Sequence, residues 1–166
     1  MTKFSYVIGM AIVAAAALTA AAPPVASQSK TELASTPIAT TAVKQTHRLV
    51  LQVNSNEPEV MTLALNNALN VERYYTGLGE RVEIEVVAFG PGLHMLRDDT
   101  SPVKERIKAI SEKTSSIAFQ ACGNTIENMA KAENKPIRVI AQASIVKSGV
   151  VRVMELQEQG WSYVRP

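Results

Sequence analysis

The segment FQACGNT, Phe119 to Thr125, holds the only cysteine of the chain. Cys122 closes an apolar, strand-like run and precedes a helix-like one. A thiol there faces unpaired backbone N–H groups and the positive end of a helix dipole, and both stabilise a thiolate. Gly123 lets the backbone turn tightly and shields the sulfur less than a bulkier neighbour would. Asn124 reads as the cap of the following helix, with Glu127 three residues on completing a capping box. The same position suits a buried cysteine that only packs as a small hydrophobe, and the residues alone leave both readings open. His94, in the loop GPGLHML, would favour the thiolate as an imidazolium near the sulfur; it reads equally as a surface loop histidine. Asn54, closing another strand-like run, is a further candidate wall group. Asp98 and Asp99 read as solvated loop carboxylates that match the dipole of the next helix. No Ser, His and Asp arrangement, metal-ligand cluster or phosphate-binding glycine fingerprint can be placed, so neither a metal nor a cofactor is expected.

The elements that must position these residues follow from the hydrophobic patterning. RLVLQVN (48–54), VEIEVVAF (82–89), SIAFQAC (116–122), a piece of IRVIAQASIV (137–146) and WSYV (161–164) read as strands. Between them lie segments of helical spacing. The first runs from Pro58 to about Tyr75, capped by Asn56, with Met61, Leu65, Ala68 and Leu69 on one face and Gly77 and Gly79 at its end. The second starts at Ser101 and Pro102 and buries Val103, Ile107 and Ile110. The third runs from Asn124 to about Glu133 and the fourth from about Ser148 to Gln159. Strand and helix alternating with short connections predict right-handed crossovers and a three-layer α/β/α domain with a largely parallel five-stranded sheet covered on both faces. Ligands of such sheets bind at the carboxyl ends of the strands. Those ends are Asn54 and Ser55, Gly90 to His94, Cys122 to Thr125, and Ser144 to Ser148, so the cysteine sits on the functional edge.

With 166 residues, 46% of them hydrophobic, the chain is long enough for one domain with a sizeable core. Seventeen Lys and Arg stand against fifteen Asp and Glu. The one basic string, Lys104, Arg106, Lys108 and Lys113, is interrupted by Glu105 and Glu112, which argues against a nucleic-acid partner. Residues 1–27 read as a secretory signal peptide: Lys3, an apolar run to about Ala22, then Pro23, Pro24 and small residues, with cleavage expected after Ser27. An uncleaved anchor is the alternative, disfavoured because the run is mostly alanine. Residues 28–46 read as a flexible leader and 47–166 as the folded domain. Export implies a periplasmic location with no membrane attachment once the signal is removed. One cysteine cannot form an intramolecular bridge in that oxidising compartment.

GERVEIEVVAFGPGLHMLR, IAFQACGNTIENM and SGVVRVMELQEQGWSYVRP, together with RLVLQVNSNEPEVMTLALNNALN, resemble the exported branch of the DsrE/DsrF-like sulfur-relay family over about Arg48 to Pro166. The resemblance implies a flavodoxin-like (DsrEFH-like) subunit, assembled as a homotrimer or homohexamer, whose cysteine carries sulfur as a persulfide. That cysteine would be Cys122, its thiolate held by N–H groups at Gly123, Asn124 and Thr125, with an unidentified sulfur donor or acceptor as partner. The chain departs from the exported relatives at Gly123, where they have glutamate, and at His94, where they have glycine. Losing a carboxylate beside the sulfur favours the thiolate, as does gaining a histidine. On this reading the protein is a sulfur carrier rather than a turnover enzyme. The competing reading is a non-catalytic module that binds a small anion or assembles, with an inert cysteine. A flavin protein, by fold analogy alone, is weaker still.

Overall fold

The computed structural model describes residues 45–166; the expected signal peptide and nearly all of the leader lie outside them. Five strands, β1 (Thr46–Val53), β2 (Arg81–Ala88), β3 (Ile117–Cys122), β4 (Ala143–Val146) and β5 (Ser162–Val164), form one all-parallel sheet in the order β4-β3-β2-β1-β5. They alternate with α1 (Pro58–Gly77), α2 (Lys104–Lys113), α3 (Gly123–Glu133) and α4 (Gly149–Glu158), and a 3-10 helix, Gly90–Leu96, follows β2. This is the three-layer, flavodoxin-like α/β/α architecture expected from the alternation. β1 begins at Thr46, inside the stretch read as leader. β4 uses only the last residues of its expected run, while Val139 pairs with Arg97 as an isolated antiparallel bridge.

The period of two along each strand divides the sheet into unequal faces. Leu49, Leu51 and Val53, Val82, Ile84, Val86 and Ala88, and Ile117, Phe119 and Ala121 point to one side. There α1, the 3-10 helix, α2 and the Ile126 and Met129 side chains of α3 cover them. Each large side chain buried this way contributes about 1.5–3 kcal/mol, so this layer dominates the stability. The other face is sparse: Val50 and Val87 meet Val153 and Leu156 of α4, flanked by Phe89 and Trp161. Several of its other positions are polar and paired across it, while Gln120 of β3 keeps a buried side-chain oxygen without a partner. Arg48 donates to Glu83 at 3.0 Å, Tyr163 to Gln52 at 2.8 Å, and Arg152 of α4 grips the buried Glu85 with two N–H groups, one at 2.9 Å.

Right-handed crossovers explain why the helices divide three to one. The chain adds β2, β3 and β4 in one direction, which keeps α1, α2 and α3 on one face, and it must then return across the sheet to lay β5 beside β1, which puts α4 on the other. The connections after β3 and β4, neighbours in the sheet, therefore leave toward opposite faces.

Three local expectations are corrected. Glu57, not Asn56, is the N-cap of α1; it makes no side-chain cap, and its own N–H donates to Ser55 Oγ at 3.3 Å. α2 begins at Lys104, after a turn over Ser101 and Pro102 in which Ser101 Oγ is tied to the Met95 carbonyl. Asp99 is not a merely solvated carboxylate. It accepts from Arg97 Nε at 2.9 Å and Nη2 at 2.8 Å. Arg97, 1% exposed, also donates to both carboxylate oxygens of Glu133 at the end of α3, and Lys135 reaches Asp99 at 3.0 Å. This cluster, with the Asp98 N–H to Arg138 and Ile140 N–H to Leu96 hydrogen bonds, fastens the segment before α2 to the segment before β4.

The hydrogen bond from Arg97 holds the Glu133 carboxyl down to about 2 and, with that from Lys135, holds Asp99 well below the usual carboxylate range. Carboxyls depressed by folding contribute stability above their unfolded values and lose it as the pH falls through the folded ones. Replacing Arg97 with Met should lower the melting temperature at neutral pH. Thermal melts from pH 7 to pH 2 should show the gap between variant and wild type full above pH 4.5, the ordinary Glu value, and closing toward pH 2.

Candidate functional site

Cys122 is the last residue of β3 and also the N-cap of α3, with φ −73° and ψ 115°. Helical geometry starts at Gly123, one residue before the expected start. Asn124 is therefore in the first turn and not its cap, and the capping box with Glu127 does not form. The sulfur occupies the place where a capping oxygen would stand. No side-chain hydrogen bond closes the cap, and the nearby donors bear on the sulfur as fixed dipoles. Burial, at 5% exposure, pushes the thiol up. The Thr125 hydroxyl and the backbone N–H groups of Gly149, Thr125 and Asn124 outweigh it, and the thiol lies below its usual range. Asn124 acts least, and its N–H already donates to the Lys147 carbonyl at 3.1 Å.

The donors come from both sides of the split between β3 and β4. Asn124 and Thr125 belong to the first turn of α3, whereas Gly149 opens α4 behind its N-cap Ser148. The two positive helix ends thus converge on one sulfur. Gly149 permits it: a Cβ there would lie 2.8 and 2.9 Å from the Phe89 side chain and 3.2 Å from Cys122 Cβ. Gly123 is less restrictive, since its Cβ would approach the Val146 carbonyl at 3.1 Å and the Lys147 carbonyl at 3.4 Å. On the α4 side an open groove of ≈ 630 Å³ adjoins this cradle, lined by Asn124, Val146, Lys147, Ser148, Val151, Arg152 and Glu155.

Of the residues singled out in the sequence, Gly123, Asn124 and Thr125 surround Cys122. His94 does not join them. Its Nδ1 is paired with Thr100 Oγ1 at 2.7 Å, within its own loop, and it is not among the groups acting on the sulfur. Asn54 is not among them either; it follows β1 at the point where Gly92 packs so closely that a Cβ would lie 2.8 Å from the Asn54 Cα and 2.2 Å from the Val53 carbonyl oxygen. Gly149 and the Thr125 hydroxyl were not anticipated. The sequence signal for Gly149 was SG opening a helix at the end of a strand. Among the described residues no group of three or more His, Cys, Asp or Glu side chains could hold a metal ion.

No protein-family model matches the chain. No curated protein matches it either. A solved structure does: that of MTH1491 from Methanobacterium thermoautotrophicum, described as a protein of unknown function. It is 27% identical, with a TM-score of 0.61, and the match covers 72% of this chain and 99% of that one.

Gly149→Ala forces the start of α4 away from Phe89 and Cys122. It should lower stability by about 1–3 kcal/mol in thermal or urea unfolding. It should also raise the pH at which native Cys122 reaches half its maximal alkylation rate, which in the wild type should fall below the usual thiol value.

Proposed function

We propose that the protein is a sulfur carrier that holds one sulfur atom as a persulfide on Cys122. The observation that carries this reading is the convergence of two helix starts on a single buried thiol, Cys122 capping α3 while Gly149 at the head of α4 packs against it. In the uptake step the Cys122 thiolate attacks the outer sulfur of a donor persulfide. A new S–S bond forms to Cys122, the S–S bond of the donor breaks, and the donor leaves as a thiolate, with no net oxidation or reduction. Delivery is the same exchange with the roles reversed, and Cys122 is then the leaving thiolate. Donors that stabilise the anion make it abundant for attack and good as a leaving group, so one cradle serves both directions. The resemblance of the ACGNT segment to the DsrE/DsrF-like relay proteins supports the same reading, and with it a periplasmic location and assembly into trimers or hexamers. Ile145, Val150, Val151 and Met154, large apolar side chains exposed beside the groove, support self-association.

The 5% exposure of Cys122 favours a second reading, an inert packed cysteine in a binding or assembly module. The two part on one measurement. Incubated with a small-molecule persulfide and examined by intact mass, the wild type should gain one labile sulfur per chain, removable by a thiol reductant, and Cys122→Ser should gain none. Uptake by the serine variant, or none by the wild type, rejects the carrier. Light scattering should give a mass of three or six subunits, and Met154→Glu should lower it.

A further inference from the structure

We propose that the groove beside Cys122 is the binding site of a short cysteinyl peptide, two or three residues long with free termini, whose persulfide is the sulfur donor. The inference rests on the carrier reading for the reaction and on the groove for the ligand. The groove exists because α4 settles on Val50 and Val87 of the central strands and leaves the same face of β3 and β4 open. Ala118 and Ser144, on that face, are exposed. The volume, ≈ 630 Å³, falls within the range of about 300–1,000 Å³ in which proteins hold small molecules. The neighbouring sulfur is 5% exposed, which suits a donor small enough to enter a groove.

The lining carries opposite charges at its two ends. Ser148, Val151 and Glu155 follow one side of α4 at spacings of three and four, so the groove runs about 10 Å along the helix. At its head lie Lys147, the Asn124 side chain and the Ser148 hydroxyl, which makes no cap hydrogen bond, beside the positive starts of α3 and α4. These groups suit a carboxylate. At the far end lies Glu155, which suits an ammonium. Lys147 takes part in none of the ion pairs of the described residues. Arg152, between the two, is committed to Glu85 through two N–H groups, and Glu155 approaches it only to 4.0 Å. One cation and one carboxylate are thus left for a ligand. An extended peptide advances about 3.3–3.6 Å per residue, so three residues hold their terminal charges about 10 Å apart. Val146 and Val151 give the groove its apolar middle. In this orientation the carboxyl end of the peptide lies at the Cys122 end, and a cysteine there offers its outer sulfur to the thiolate. The new S–S bond forms to Cys122, the S–S bond of the peptide breaks, and the peptide leaves as a thiolate.

The test starts from an unreactive probe, the tripeptide Gly-Cys-Gly methylated on sulfur, titrated into the isotope-labelled native protein and followed by amide NMR. The amides of Asn124, Lys147, Ser148, Val151 and Glu155 should shift saturably. Acetylating the amino end should weaken binding to the wild type about twofold to fivefold, the effect of one exposed ion pair, and should make no difference to Glu155→Gln. Amidating the carboxyl end should weaken it similarly, and should make no difference to Lys147→Gln. Absence of shifts in the groove overturns the proposal, as do capping effects that persist in the two variants. Uptake from the hydropersulfide of the same tripeptide, read by intact mass, should be faster than from that of mercaptoethanol, which bears neither charge. Groove binding without uptake rejects the carrier and keeps the peptide site, whereas equal uptake from both donors without groove shifts rejects the peptide site and keeps the carrier.

Discussion

A buried sulfur is a poor place for negative charge, and the site exists because two helices begin beside it. That meeting is a consequence of chain path rather than of any local motif. The strands are added outward from β1 to β4, and β5 then returns to the far side of β1. Right-handed crossovers turn this order into three helices on one face and one on the other. Only between β3 and β4 do neighbouring connections part, and only there do the starts of two helices flank one crevice. Cys122, the last residue of β3, stands at that division.

The approach of α4 also requires the second face of the sheet to be what it is. A strongly apolar face would need more than one helix of ten residues to cover it. This face instead carries Arg48, Gln52, Glu83 and Glu85, with Val50 and Val87 as its small apolar centre. Val153 and Leu156 settle on those valines, and the Glu85–Arg152 pair fixes how α4 lies. A largely buried ion pair adds little net stability, since desolvating both charges offsets most of their attraction. Its geometry is nevertheless directional, and a bidentate guanidinium sets rotation and slide along the sheet. With the helix so placed, Gly149 arrives against Phe89 and Cys122 with no room for a Cβ.

The order of elements could be read from the sequence because periods of two and near four alternate cleanly along it, and the strand ends then placed Cys122 on the functional edge. Capping could not be read as well. Asn124 has the right chemistry for a cap, but the backbone becomes helical at Gly123, so the cap role passes to the cysteine itself. At α1 the cap falls one residue later than expected, on Glu57 rather than Asn56. His94 shares the sheet edge with Cys122, and sharing an edge did not bring its ring to the sulfur; Thr100, six residues along, claims it. Asp99 reads as a loop carboxylate because nothing nearby in sequence foretells Glu133, which helps bury Arg97 beside it from the far end of α3. Gly149 depends on a contact with Cys122, twenty-seven residues earlier, and only the crossover topology brings the two together.

The helix starts at Cys122 and the groove beside them have separate structural origins. Acidity comes from the dipoles at the starts of α3 and α4, which the fold holds in place whether or not a reactant is present. Such preorganised donors stabilise charge without reorganising when it forms. The Val146–Ser148 connection and α4 residues Val151, Arg152 and Glu155 line the groove that adjoins this cradle. A substitution in that lining leaves the two helix starts in place, whereas one at Gly149 moves the start of α4 away from Cys122. Because Gly123 lies where the two sets join, a side chain there presses on the Val146 and Lys147 carbonyls and acts on both at once.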